Sequence, residues 1–145
     1  MPVDTSAAVA ALTQLAVLID AATKDGVADG ADLVQGLGRT YAPHLSGELA
    51  SSITITGPAA TGPAEYTAKV GPTMVYGRIR EIGGAIPGRK GMTHPFLRWS
   101  YGGHWVFKHK VHQHGAKYML HAVEDVRPQF RSIVARRWAN AIDSV

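Results

Sequence analysis

Hydrophobic positions along the chain recur with a helical period at both ends and alternate in the middle. From about Asp4 to Lys24, Ala8, Leu12, Leu15 and Ile19 recur at three- and four-residue spacing and Leu18 widens the stripe, which predicts an amphipathic helix stopped by Gly26. Leu33, Val34, Leu37 and Tyr41 mark one face of a second helix, ended by Pro43. Gly36 and Gly38 lie inside it and each costs roughly 1 kcal/mol against alanine, a cost explained if another backbone packs closely there.

Strands follow. Ile53 and Ile55 alternate with Thr54 and Thr56, and Tyr66, Ala68 and Val70 alternate with Thr67 and Lys69, the pattern of half-buried strands. Between them, Gly57–Ala64 holds two Gly-Pro pairs and no anchoring apolar side chain, so it reads as a mobile hairpin loop. The loop Ile86–Thr93 is expected to be mobile for the same reason. A second hairpin over Phe96–Lys110 turns at Gly102-Gly103. A two-residue turn sets Tyr101 against His104; a three-residue loop sets Tyr101 against Trp105 and Trp99 against Phe107. The second register gathers the aromatics on one face and is preferred on cross-strand pairing.

The chain closes on a helix in which Phe130, Val134, Trp138 and Ile142 fall at four-residue steps beside Ile133. Asp125 suits its N-cap, which would put Pro128 harmlessly in the first turn, and Arg131, Arg136 and Arg137 lie off the stripe. The expectation is one α+β domain over residues 1–145, helical to 43, with sheet and loops over 50–115 and a C-terminal helix over about 118–143. A small antiparallel sheet containing the Ile53, Tyr66 and Trp105 segments, with long hairpin loops, should pack on the N-terminal and C-terminal helices and bury Leu12 and Trp138.

Composition agrees with a folded chain. Of 145 residues, 46% are hydrophobic and 18% charged, which is globular rather than disordered. Without cysteine there are no disulfides or thiolate metal sites. No unbroken apolar run reaches the ~18 residues of a membrane helix and no basic flank precedes the first apolar stretch, so the chain reads as soluble and unexported. Charge is uneven: Met1–Gly77 carries 3 basic and 7 acidic residues, Arg78–Val145 12 basic and 4 acidic. A basic second half suits either a solvated face or an acidic partner.

Candidate chemistry is sparse. His109, His112 and His114 lie close together, and His112 and His114 would point to one side of a strand as a metal pair needs. The nearest carboxylate in sequence is Glu124, however, and Lys108, Lys110 and Lys117 repel a cation, so an exposed polar edge strand is the better reading and no metal is assigned. Gly83–Lys90 superficially resembles a phosphate loop but has Arg89 at the lysine position and Lys90 where a magnesium-ligating hydroxyl belongs; it reads as a mobile basic loop. Ser46, Ser51 and Ser52 lack a local base, and Glu81, alone among Arg78, Arg80 and Arg89, suits ion pairing. No catalytic residue and no cofactor are assigned.

Three short motifs carry a family resemblance. Tyr41-Ala42-Pro43-His44-Leu45-Ser46-Gly47-Glu48-Leu49-Ala50-Ser51-Ser52-Ile53 resembles the "aromatic or Lys, Ala-Pro, Thr/Ser-Gly-x-Leu-x-x-Ser-Ile" element of phage tail-completion proteins, the head–tail joining or neck subunits of long-tailed phages. Val75-Tyr76-Gly77-Arg78-Ile79-Arg80-Glu81-Ile82-Gly83-Gly84 resembles their "Tyr-Ala-x-x-x-Glu-Phe-Gly-Gly", with Gly77 for alanine and Ile82 for phenylalanine. Gly115–Ala122 resembles the segment entering their final helix, without its proline before the aromatic. In physical terms Ala42-Pro43 ends a helix, Ser46 caps a turn, and Gly83-Gly84 ends a short helix carrying Tyr76, Ile79 and Ile82.

The resemblance implies a non-enzymatic virion protein: a two-layer α+β subunit of a six-fold ring at the head–tail junction, made in the host cytoplasm. Its partners would be further copies of itself, the neck or connector protein, and the tail tube or terminator, with DNA passing through the ring and touched non-specifically. Tail terminator and minor tail protein are the alternatives within that class. Tyr76, Arg78, Arg80, Glu81, Gly83, Gly84, Arg136 and Arg137 are the candidate interface, with Asp25, Asp29 and Asp32 as opposites. The rival from another class is a nucleic-acid-binding module using Arg78, Arg80, Arg89, Lys90, Lys108 and Lys110 with Trp99, Tyr101 and Trp105 as stacking groups.

Overall fold

A computed structural model describes residues 5–43, 47–88 and 96–144. It is α+β, built on two long helices, α1 (Ser6–Tyr41) and α4 (Tyr118–Ile142), with small antiparallel sheets packed against them. Short helices α2 (Glu48–Ser51) and α3 (Gly77–Ile82) lie between, as do six strands. The strands form three two-stranded ribbons, not the single sheet expected. β1 (Ile53–Gly62) pairs with β2 (Glu65–Pro72), β3 (Gly83–Pro87) with β6 (Lys110–His114), and β4 (Leu97–Tyr101) with β5 (His104–Lys108).

The two helices expected before Pro43 are one. α1 runs unbroken through Gly26, because α4 packs closely on it there: a Cβ on Gly26 would lie 3.1 Å from a Val134 methyl, and one on Gly30 would lie 2.5 Å from the Phe130 ring. Tight helix packing outweighs the glycine cost of about 1 kcal/mol. Gly38 similarly admits Met119, whereas Gly36 has nothing within 4 Å.

The helices are antiparallel. Tyr41 Oη donates to Asp125 Oδ2 (2.6 Å) near one end and Trp138 Nε1 donates to Thr23 Oγ1 (2.9 Å) near the other. With Trp138 level with Thr23, α4 ends near Ile19, and about the first four turns of α1 project past it. Leu12, expected in the core, is therefore 67% exposed, and Val9 and Val17 are exposed with it. Trp138 is half-exposed. The buried line of α4 is Tyr118, Ala122, Val126 and Ile133, a stripe that starts well before Asp125. Asp125 is thus interior to the helix, Lys117 is the N-cap, and Pro128 sits mid-helix, leaving the Glu124 carbonyl without its usual N–H donor.

The β1–β2 ribbon lies on α1. Gln35 Nε2 and Arg39 Nη2 both donate to the Ile53 carbonyl (2.8 and 3.1 Å), and Tyr66 Oη donates to Asp20 Oδ2 (2.6 Å). Ile53 is fully buried with Ala42, Leu49 and Tyr118, forming the core cluster where α1, α2, β1 and α4 meet. The Gly57–Ala64 loop is corrected: β1 continues through it to Gly62. The ladder skips between Thr56 and Ala59, and Gly57 (φ +102°) makes a close approach to the Thr67 carbonyl that a Cβ would block.

The Phe96–Lys110 hairpin adopts the register not preferred from sequence. Tyr101 faces His104, Ser100 faces Trp105 and Trp99 faces Val106. Gly102 and Gly103 both have positive φ (57° and 80°), as a two-residue turn of primed type requires. Turn geometry overrides aromatic pairing, and the aromatics divide between the two faces. In the Ile86–Thr93 segment, Ile86 and Pro87 belong to β3; Arg89–Thr93 lie outside the described residues, as do His44, Leu45 and Ser46.

Candidate functional site

Six of the eight candidate interface residues come together at the corner formed by α3. Tyr76 precedes the helix, Arg78, Arg80 and Glu81 belong to it, and Gly83 ends it, its N–H donating to the Ile79 carbonyl. Gly83 has φ +80°, and a Cβ there would lie 2.7 Å from Gly115 N and 2.8 Å from the Gln113 carbonyl, so only glycine fits. Tyr76 and Arg78 are exposed; Arg80 is half-buried in a cleft of about 300 Å³ lined also by Pro43, Leu49, Tyr76, Ile79 and Ile86.

Among the described residues Glu81 makes no ion pair with Arg78 or Arg80. Its carboxylate accepts the backbone N–H groups of Met119 (2.9 Å, to Oε2) and Leu120 (3.0 Å, to Oε1). The α4 N-cap, Lys117, has left-handed φ and no capping side chain of its own, so Glu81 satisfies two N–H groups from across the fold. The α3 carbonyls finish the joint: Ala116 N donates to Arg80 O (2.7 Å) and Lys117 N to Glu81 O (3.0 Å). Sequence reasoning missed this because Glu81 and Met119 lie 38 positions apart.

Arg136 and Arg137 do not join this corner. They sit about 27 Å further along α4 at 1.5 Å per residue, so the candidate residues form two patches. Arg137 is also already engaged: it bridges Asp29 of its own chain in a bidentate ion pair, Nε–Oδ2 2.7 Å and Nη2–Oδ1 2.8 Å. That hydrogen bonding, before any longer-range attraction from Arg137 and Arg136, holds the Asp29 carboxyl below its usual range. Asp29 is thus not available as the intermolecular opposite expected of it. Arg136 remains exposed.

The expected chemistry of the serines and histidines is also placed. Ser51 and Ser52 donate their hydroxyls to the Glu48 and Leu49 carbonyls within α2. His112 and His114 lie exposed on β6, which pairs with β3 and no other described strand, and His109 lies against Phe96 with ring centroids 4.1 Å apart. Among the described residues no group of three metal-ligating side chains converges.

Apolar surface is more prominent than polar chemistry. Among the described residues the large exposed hydrophobics outnumber the buried ones; some, such as Val75 and Ile82, lie apart, and three apolar surfaces stand out. The first is the projecting start of α1. The reading of no membrane-length apolar stretch is corrected here: α1 is long and apolar enough, by length and composition, to cross a membrane. The projecting part alone, Ser6 to about Ile19, is only ~21 Å long against a hydrocarbon core of ~30 Å, and a span would have to take in Asp20, bound to Tyr66, and Ala22, buried in the fold.

The second is the β4–β5 arm. Tyr101 is 78%, Trp105 60%, Phe107 57% and Trp99 36% exposed, and Arg98 stacks 4.5 Å above the Trp105 ring. β5 continues through His109 into β6, so the arm extends from the β3–β6 ribbon, and beyond isolated contacts it packs on no other described element. The third is a groove of about 590 Å³ between α1, β2 and α4, walled by Val27, Val34, Tyr66, Val123, Val126 and Phe130. Of these walls the sequence patterns single out Val34, Tyr66 and Phe130, each on its own element; that they share a groove with Val123 and Val126 follows only from the packing of distant segments. No protein-family model, curated protein or solved structure matches this chain, so its own surfaces carry the functional reading.

Proposed function

We propose that the chain is a structural subunit of a long-tailed phage particle, acting at the head–tail junction as a tail-completion or joining protein without catalysis. The observation that carries the reading is the excess, among the described residues, of large exposed apolar side chains over buried ones, with a projecting helix and a β-arm among the surfaces that carry them. A lone soluble subunit gains nothing from surfaces of this size; an assembly part gains its interfaces. The three motifs supply the particular assembly. In this fold the first two serve as structural joints: Ala42, Leu49 and Ile53 build the core, and Glu81 and Gly83 hold α3 against the entry to α4.

In this role the subunit works by geometry. Copies of the chain form a ring that meets the neck or connector on one face and the tail tube or terminator on the other, with DNA in the channel. The partners are found in the virion, after assembly in the host cytoplasm. Tail terminator and minor tail protein elsewhere in the tail are the same class of answer. Locating the protein in intact particles by electron microscopy tests the reading: density at the head–tail joint is expected, and particles that lack the chain refute it. One observation favours a nucleic-acid module instead. No acidic residue occurs between Glu81 and Glu124, and the arm in that stretch pairs Arg98 with Trp105. Tight binding to short DNA that weakens steeply with salt would favour that reading.

A further inference from the structure

We infer that the β4–β5 arm of one subunit inserts its aromatic tip into the groove between α1, β2 and α4 of the next copy. The inference rests on the ring reading above and names the contact that would close it. A ring needs a heterologous interface, in which two different patches of each subunit meet. The arm and the groove are two such patches on one chain, and among the described residues neither is covered by another element.

The arm is built for insertion. Observed pairing puts Trp99 and Tyr101 on one face with Val106, and Trp105 and Phe107 on the other with Arg98. A ribbon lying on a flat surface needs one apolar face; a ribbon with large apolar side chains on both faces is covered on both sides only inside a groove. Gly102 and Gly103 keep the tip narrow. The groove, at about 590 Å³, lies within the ~300–1,000 Å³ of pockets that enclose groups of several rings, which matches the tip rather than the whole arm.

Area and charge point to the same occupant. Aromatic side chains bury ~150–250 Å² each, so at their observed exposures Tyr101 and Trp105 at the tip offer roughly 275 Å². That is about a third of the ~800 Å² each partner contributes to an interface of standard size, with Trp99 and Phe107 behind them to cover the groove's rim. The arm carries Arg98 and Lys108 and no acidic residue. Asp20, hydrogen-bonded through Oδ2 to the groove-lining Tyr66, puts a carboxylate at the groove's end. Arg127 also lines the groove, so the attraction is directional, with the cationic flank of the arm toward Asp20 and away from Arg127.

The absence of cysteine makes a crosslinking test clean. Tyr101→Cys places a thiol on the tip and Val123→Cys one in the groove, both at exposed positions. With a short bifunctional thiol reagent, the purified double variant should give a ladder of oligomers at high concentration. Each single variant should give no more than dimers. Tyr101→Cys combined with Ser132→Cys, an exposed α4 position outside the groove lining, should give at least tenfold less ladder. Equal ladders from both pairs, or none from the groove pair, overturn the inference. Folding of every variant is checked by circular dichroism, and Val123→Glu in the Tyr101→Cys background supplies a second check by abolishing groove crosslinks from a tip photo-crosslinker. Particles lacking the chain would refute the phage reading, while the ladder alone decides the contact.

Discussion

Arg137 grips Asp29 through two parallel hydrogen bonds, tying the basic end of α4 to the acidic middle of α1 within one subunit. Charge asymmetry between the two parts of the sequence is thus partly spent inside the fold. The bridge makes stability depend on pH with a definite sign. Asp29's carboxyl is depressed in the folded chain, chiefly by Arg137, so its contribution is present above the unfolded carboxylate value of about 3.9 and is lost as pH falls through the folded value. Both side chains are roughly two-fifths exposed, so the effect is small and screened by salt. Urea titrations of wild type and Asp29→Asn should differ at neutral pH and converge in acid; a gap that stays constant into acid would remove the bridge from the account.

Assembly should respond to Arg136 in a way that Arg137 cannot report. Arg137→Glu breaks an internal bridge and places a carboxylate against Asp29, which mixes folding with joining. Arg136→Glu alone leaves the bridge in place. On the ring reading it should lower the yield of joined, infectious particles while leaving the thermal midpoint of the purified subunit within a few degrees of wild type. Full infectivity of that variant would take the end of α4 out of the interface.

Glu81 should prove structural, not adhesive. Glu81→Ala removes both acceptors from the start of α4 and should destabilise the chain by about 1–2 kcal/mol, the range for losing a strong helix cap. Glu81→Gln keeps one acceptor oxygen and should lose about half as much. Denaturant midpoints measure both. An unchanged midpoint for Glu81→Ala, together with a loss of assembly, would return Glu81 to the interface.

Two glycines should behave oppositely. A Cβ on Gly115 would lie 2.5 Å from the Glu81 carbonyl oxygen and 2.5 Å from the Ile82 carbonyl carbon, both backbone atoms that cannot swing away. Gly115→Ala should cost about 1–3 kcal/mol by forcing β3 and β6 apart. Gly36 is exposed on α1 with nothing within 4 Å, so Gly36→Ala should stabilise by about 0.5–1 kcal/mol. Thermal melts of the two variants should bracket wild type.

Much of the architecture was legible because periodicity is local. The helical stripes near Leu15 and Ile133, the alternation at Ile53 and Tyr66, and the stop at Gly83 depend on neighbours a few residues away, and the α+β class followed from them. What only tertiary structure decided depends on residues far apart in the chain. Gly26 reads as a stop until Val134 packs on it. Gly57–Gly62 reads as a loop until Thr67 and Tyr66 pair with it, and Glu81 reads as an ion-pair partner until the bare N-terminus of α4 is set beside it. Leu12 is exposed for the same reason, since only the antiparallel register of α1 and α4 shows that α4 ends before reaching it. Local propensities are worth about 1 kcal/mol, and a packing or hydrogen-bonding partner brought in from a distant segment is worth at least as much, so the partner decides.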